Sequence, residues 1–558
     1  MIEKEQKMKK ILAAVLVLCI LAGLLAGCGS KTDDNAGDPG TSPGTSPGTS
    51  SASPGTGSSA SPGASASSDP GSSSTPAKDT VVVCQAEEPT AFIPVSDEFM
   101  TNMNKDGIIL YNMYDALFFM ENDASITNIL ATDYTISPDG LEYVVKIRED
   151  VYFHSGNKMT AEDVAFSFME TKDKYTIRFE TSFINLDHVD VIDEYTVKFV
   201  LFAPFTAFLA CIAGYQIVDK AYYEQVGGAA GYNAAPIGSG PFKFESRVSG
   251  ESITLVANED YWGPVPAIKK VIVRPISNVS TQFLALENGE IDIIGRCDIA
   301  SCLQIVNPNL TWGYTTSAQR SIMQFNGRDE YLTSDINLRR AIQCAINKEE
   351  ILLGVLEGYG VVLDYEGVPT YTGAPDPADC LVVPHDIDKA KEYLAASSYS
   401  GQTLVVMCYA GTNEERAAQI IQGQLLSIGI NLAIYATDPA TAIARRRSMD
   451  DLDMAISSHN SGSNDISVIG TVYKKSDVYK PFYPVDQLDE TTRLIDTANV
   501  QLDPASRASY FAQLANLVTE NAIVIPLYSS PITSAYNAGL KNVQLHWSGI
   551  LIMKNWTW

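Results

Sequence analysis

The sequence predicts an α/β protein with mixed sheets, on three observations. Helical and strand patterns alternate through the second half of the chain, an order that layers helices on sheets. At 558 residues there is room for two or three domains, and the 45% hydrophobic content fits a body with a large core. Between residues 31 and 78 the composition collapses to Ser, Pro, Gly, Thr and Ala, with repeats such as TSPGTSPGTS. Nothing in that tract can offset the entropy of ordering it, so it reads as a linker, with a span of ~40 Å as a flexible chain.

Order is expected from Thr80. Val81-Val82-Val83-Cys84 reads as a buried strand, with a loop from Gln85 to Pro89 behind it. Ile109, Met113 and Leu117 fall at i, i+4 and i+8 and predict a helix. Ser137-Pro138-Asp139-Gly140 is a turn, because proline presets one φ and glycine admits the other. It leads into the alternating strand Tyr143, Val145, Ile147. Thr160-Ala161-Glu162-Asp163 is a helix N-cap box ahead of Val164 and Phe168. Val197, Phe199 and Leu201 alternate as another strand. Ile237-Gly238-Ser239-Gly240-Pro241 is a sharp turn entering a strand, and its spacing does not match a phosphate loop.

In the second half, residues 335–356 are amphipathic, with Leu338, Ile342, Ala345 and Ile346 on one face and Arg339 and Arg340 off it. Residues 364–386 are a Pro/Gly/Asp-rich loop. A helix is expected at 416–428, a strand at 430–434, a helix at 506–518 and a buried strand at 522–528.

Before the linker, Lys4, Lys7, Lys9 and Lys10 precede an apolar block, 11–25. The block is shorter than the ~20 residues a spanning helix needs, so residues 1–27 read as a removed signal peptide. Leu25-Ala26-Gly27-Cys28 resembles a lipobox. Proteins with that motif are cut before the cysteine, and residues 28–78 would then be a lipidated Cys28 and its linker. Two acyl chains hold a protein to a membrane where one does so only marginally. Removing the leader takes the net charge from −27 to −29, which argues against nucleic acid as a partner. Seven cysteines lie beyond Cys28, an odd number. Cys297 and Cys302 are close enough to bridge, while Cys84, Cys344 and Cys408 sit in apolar runs and read as buried thiols.

Five stretches taken together, DGLEYVVKIREDVYFHSGNKMTAEDVAFSF (139–168), APIGSGPFKFES with ITLVANEDYW (235–246, 253–262), INLRRAIQCAINKEEIL (336–351), IIQGQLLSIGINLAI (420–434) and SRASYFAQLANLVTENAIVIPLY (506–528), resemble the family 5 extracellular solute-binding proteins of bacterial ABC importers. The resemblance runs from Thr80 to the C-terminus. It implies a two-lobed clamp of the periplasmic-binding-protein type. Lobe I would comprise 79–318 and 528–558, with an extra subdomain at about 100–235, and lobe II 319–527. The two crossings, near 320–326 and 526–531, would be the hinge, and a ligand would stabilise the closed state by touching both lobes.

By the same resemblance, the ligand contacts fall in loops after cleft-facing strands: Glu87 and Glu88 in lobe I, and Tyr409, His459, Asn460 and Asp465 in lobe II. The peptide-binding branch carries a tryptophan and, three residues on, an aspartate that pairs with the peptide ammonium. Here His459 and Gly462 stand in that register, so the charge partner is missing unless Asp465, Glu87 or Glu88 replaces it. A buried ammonium without a partner is costly, which keeps a neutral or sugar-like solute open beside a peptide. Arg416 reads as a helix-surface residue. The histidines His154, His188, His385, His459 and His546 show no metal-ligand spacing, so no metal or cofactor is expected.

The resemblance thus implies a monomeric receptor, lipid-anchored outside the cell membrane, that hands its ligand to an ABC permease. Enzymatic alternatives find little support. The body after Lys78 has no G-x-S-x-G elbow, no H-E-x-x-H and no Walker loop. A carboxylate pair of glycosidase type, or a surface sensor, stays open on sequence grounds.

Overall fold

A computed structural model describes residues 78–96, 103–174, 185–460, 462–474 and 485–558, within a compact unit that begins at Ser74. The leader, Cys28 and the linker up to residue 77 lie outside the described residues. Among the described residues no helix is long and apolar enough to cross a membrane.

Strand β1 (Thr80–Gln85) is apolar on both sides because both its faces are covered. Val81 and Val83 enter one core and Cys84 a second, each at 0% exposure. Helix α1 (Met103–Met113) stops one turn short of Leu117. The Met113 carbonyl accepts from the Gly240 N–H at 2.8 Å instead of continuing the helix. The glycine loop occupies the space of the next turn so closely that a Cβ on Gly238 would lie 1.9 Å from the Met113 oxygen. Leu117 is still fully buried, just ahead of the hairpin β2 (Phe118–Met120) and β3 (Ile126–Asn128).

Four strands, β4 (Ala131–Ile136), β5 (Glu142–Ile147), β6 (Leu186–Asp193) and β7 (Thr196–Leu201), form an antiparallel sheet in the order β4-β5-β7-β6. Gly140, at φ +71°, closes the turn between β4 and β5. Thr160 caps helix α2 (Ala161–Lys174), its N–H and hydroxyl donating to Asp163 Oδ2 at 2.8 and 3.2 Å. Val164 and Phe168 then fall into the core of this sheet.

Strands β8 (Phe242–Val248), β9 (Ser252–Ala257), β10 (Lys270–Pro275), β11 (Ile293–Ile294) and β12 (Leu310–Thr316) follow. The chain then crosses into β13 (Gln319–Phe325), β14 (Val361–Val362), β15 (Thr403–Tyr409), β16 (Asn431–Thr437), β17 (Met454–Asn460) and β18 (Val524–Ser529), and returns as β19 (Pro531–Asn537). Two large sheets result, in the orders β12-β19-β11-β1-β10-β9-β8 and β14-β18-β13-β17-β15-β16. They are the frames of lobe I and lobe II. The chain passes between them at 317–318 and at Ser530. Residues 320–326 therefore lie in or directly after β13 rather than in a connection, and β18 runs two residues past the boundary expected at 527. Ser529 Oγ donates to the Ser317 carbonyl at 3.1 Å and ties the crossings together.

Residues 335–356 form two helices, α3 (Ile336–Ala345) and α4 (Lys348–Leu356), because Ile346 is extended and the Asn347 side chain caps the second. Arg339 departs from its expected place off the apolar face. It is 3% exposed and donates to the carbonyls of Thr333, Ser334, Asn521 and Ala522. Helices α5 (Asn413–Ser427), α6 (Pro439–Ser448) and α7 (Pro504–Glu520) pack on the lobe II sheet or its flank.

Candidate functional site

In sheets with parallel strands, ligands bind beyond the carboxyl ends of those strands. In lobe I, β1 is parallel to both β10 and β11, and the chain leaves it at Gln85 to enter the Glu87–Glu88 segment. In lobe II, β15 is parallel to both β16 and β17, so Tyr409, Thr437 and Asn460 end at one edge. Strand β13 is antiparallel to β17 and begins at that same edge, where Gln319 pairs with Asn460 and Arg320 with His459. The crossings and the carboxyl ends of lobe II thus meet along one line. Lobe I residues Met120, Ala210 and Trp547 share a core cluster with Ile322, Val368 and Tyr371 of lobe II, so the two sheets' surroundings pack against each other here.

This edge is a buried polar cluster. On one face of β13, Arg320 Nε donates to Glu366 Oε1 at 2.7 Å, and both side chains are 0% exposed. Among the described residues Arg320 Nη1, Arg320 Nη2 and Glu366 Oε2 meet no partner at good hydrogen-bond geometry, although the Tyr371 hydroxyl lies beside the guanidinium. Tyr371 itself donates to the Ala318 carbonyl at 2.6 Å. His459 lies beside Arg320, its Nε2 at 3.1 Å from Ser457 Oγ and 3.4 Å from Arg446 Nη1. Burial, reinforced by the Arg320 and Arg446 charges, holds the imidazole well below its ordinary pKa and therefore neutral. On the opposite face, Ser458 Oγ donates to Glu414, which is 8% exposed at the start of α5.

The residues singled out from sequence separate on this frame. Tyr409, His459 and Asn460 come together at the lobe II edge. Asp465 does not present a free carboxylate. It is 0% exposed, and its two oxygens accept from Arg507 Nη2 and Nη1 at 2.6 and 3.0 Å. Its Oδ1 also accepts from the Ser467 N–H. Glu88 is likewise engaged, accepting from Arg247 Nε at 2.7 Å and the Gly250 N–H at 3.0 Å, and that partner lowers its pKa. Glu87 lines a cavity of about 270 Å³ at the carboxyl ends of β1 and β11, together with Lys105 and Arg296. Arg416 is exposed on α5. Sequence reasoning missed Arg320, Glu366 and Glu414. A charged residue opening the otherwise apolar strand Arg320-Ser321-Ile322-Met323 was the available signal.

The family model for bacterial extracellular solute-binding proteins, family 5, matches residues 125–479. The chain belongs to that family. It is 23% identical over 488 residues to the glutathione-binding protein GsiB of Shigella dysenteriae, covering 83% of this chain and 91% of that protein. Among solved structures, the ABC transporter substrate binding protein CtaP of Listeria monocytogenes superposes with a TM-score of 0.76 at 22% identity, over 86% of this chain and 99% of that one. DppA of Helicobacter pylori, in complex with the peptide STSA, gives 0.67 at 24% identity, over 85% and 98%. The chain is thus a bacterial extracellular solute-binding protein of family 5, and the solved structures share its fold.

In this family 5 chain, His154 is part of the scaffold. Its Nδ1 accepts from the Gly238 N–H and its Nε2 meets the Gly240 carbonyl, each at 3.0 Å, so it clamps the glycine loop that ends α1. The Cys297 and Cys302 thiols approach to 2.9 Å, and the sulfurs of Cys84, Cys344 and Cys408 are buried and free. Among the described residues no group of three or more His, Cys, Asp or Glu could hold a metal ion.

Proposed function

We propose that this protein is a lipid-anchored receptor that closes its lobes on a peptide and holds it by the peptide's acceptor groups, then delivers it to an ABC permease. The observation that carries this reading is the Arg320–Glu366 pair at the buried edge of lobe II, with two guanidinium nitrogens unused. A fully buried guanidinium with vacant donors favours a carboxylate or carbonyl, which accepts two parallel N–H bonds. The acid that would have met a ligand ammonium is consumed by Arg507, and the neighbouring imidazole is neutral. Peptide backbones supply carbonyls and a terminal carboxylate without needing that acid. Glutathione and the peptide STSA, named for GsiB and DppA, are ligands of this chemical kind. Tyr409, His459, Asn460 and Glu87 are proposed as further contacts. Asp465 and Glu88 act in the scaffold.

Native mass spectrometry of the protein from Ser74 onward, purified without denaturation, is expected to retain an added mass that fragments as a peptide. A retained sugar would overturn the peptide reading. Replacing the pair together, Arg320→Met with Glu366→Leu, keeps the site apolar and filled. It is expected to weaken peptide binding about tenfold to a hundredfold, the worth of hydrogen bonds to a charged group.

The anchor is supported by the Leu25-Ala26-Gly27-Cys28 motif and the tract behind it. Cells given labelled palmitate are expected to label the wild-type protein and not Cys28→Ser. Equal labelling of both would remove the anchor.

A further inference from the structure

We infer that lobe I holds a second binding site, separate from the interlobe edge, for a small zwitterion that carries an amide group, such as a dipeptide. The site is a cavity of about 880 Å³, and every residue that lines it belongs to lobe I. Its wall runs from the end of α1 across the β2–β3 hairpin, past Gln216 and the end of β12, to the C-terminal segment at 542–555. The volume is that of a small-molecule pocket, and its lining mixes aromatic rings with many polar and charged groups, which suits a polar ligand.

Most of the polar groups are already engaged. Asp115 accepts from the Tyr261 hydroxyl and Trp262 Nε1, each at 2.9 Å, and from Ser239 Oγ at 3.1 Å. His546 meets the Met120 carbonyl and Ser548 Oγ. Asp123 accepts from the N–H and hydroxyl of Ser125. Of the lining groups outside this set, three bear on a ligand. Gln216 is 1% exposed, and among the described residues neither its amide nitrogen nor its amide oxygen has a partner. Lys554 and Glu121, both half-buried, form no ion pair among the described residues. A buried amide left without partners is a standing cost that a bound group with both a donor and an acceptor removes. An amide is such a group. A carboxylate suits Lys554 and an ammonium suits Glu121. One molecule that carries all three is a dipeptide.

The proposal does not rest on the peptide reading of the interlobe edge. Calorimetric titration of the full chain in detergent with the dipeptide Ala-Ala tests it, using two sets of variants. Gln216→Leu and Lys554→Met alter the lobe I cavity, whereas Arg320→Met with Glu366→Leu alters the interlobe edge. Two Ala-Ala molecules are expected per wild-type chain. The cavity variants should each weaken one of these sites about tenfold while the other stays. The interlobe variant should leave the cavity site intact. If Ala-Ala does not use the interlobe edge, a single site that weakens in both Gln216→Leu and Lys554→Met still supports the cavity and counts against the interlobe peptide reading. Binding that is absent, or that is lost only in the interlobe variant, overturns the proposal. A merely structural Gln216 predicts that Gln216→Leu leaves binding unchanged, which also overturns the proposal, because leucine removes an unpartnered polar group without harming the fold.

Discussion

Asp465→Ala is expected to destabilise the protein by about 3–5 kcal/mol, because it strands the Arg507 guanidinium in a site that excludes water. Both members are buried, at 0% and 3% exposure, and the bond is bidentate. Arg507 lies over the Phe511 ring, 5.2 Å from its centre, and has no room to swing out. The urea midpoint should fall with little change in slope. Asp465→Asn keeps the shape and one acceptor and should lose less. The decisive contrast is with affinity. If Asp465 were the ligand's ammonium partner, substitution would weaken binding while stability held. A variant of wild-type stability that no longer binds peptide would reverse the assignment.

Stability is expected to fall as pH drops from about 6.5 to about 4. Burial depresses His154 and His546 from the ordinary 6.5 to about 4, outweighing their bonds to the Gly240 and Met120 carbonyls, which favour the charged form. In that window the unfolded chain binds protons that the folded chain refuses. The stabilisation is therefore complete above the unfolded pKa and lost as pH falls through the folded one. Each pKa unit corresponds to about 1.4 kcal/mol, so each histidine contributes up to about 3 kcal/mol. Buried Asp115 and Asp163 work in the opposite sense, since burial raises their pKa and protonation relieves them. The histidine part is isolated by difference. His546→Gln and His154→Gln should flatten the fall between pH 6.5 and 4, read as denaturation midpoints against pH. An unchanged slope in both would show that neither histidine is held neutral.

Local patterns were legible where the physics is local. The Val81–Cys84 run, the Thr160 box, the Gly140 turn and the alternating Tyr143, Val145 and Ile147 each specify their element through near neighbours alone. The length of α1 was not local. Its end is set by Gly238 and Gly240, more than a hundred residues downstream, whose backbone displaces the helix turn that Leu117 would have joined. Arg339 shows the same limit. On a helical wheel it leaves the apolar face, but the folded chain brings four backbone carbonyls around it.

The candidate site divides along the same line. Sequence alone determined the α/β layering, the family and the loops at the carboxyl ends of the strands, because repeating patterns and motif order are written in the chain. It also pointed to Tyr409, His459 and Asn460, which the parallel strands bring to one edge. Which charges are free to meet a ligand was decided only by tertiary structure. Asp465 and Glu88 look alike as acids in loops, yet Arg507 and Arg247 engage them from segments far along the chain. Arg320 looks like one charge in an apolar strand, yet Glu366 uses only part of its guanidinium. A charge is available or spent according to its neighbours in space, and those neighbours are chosen by how the two sheets pack and where the chain crosses between them.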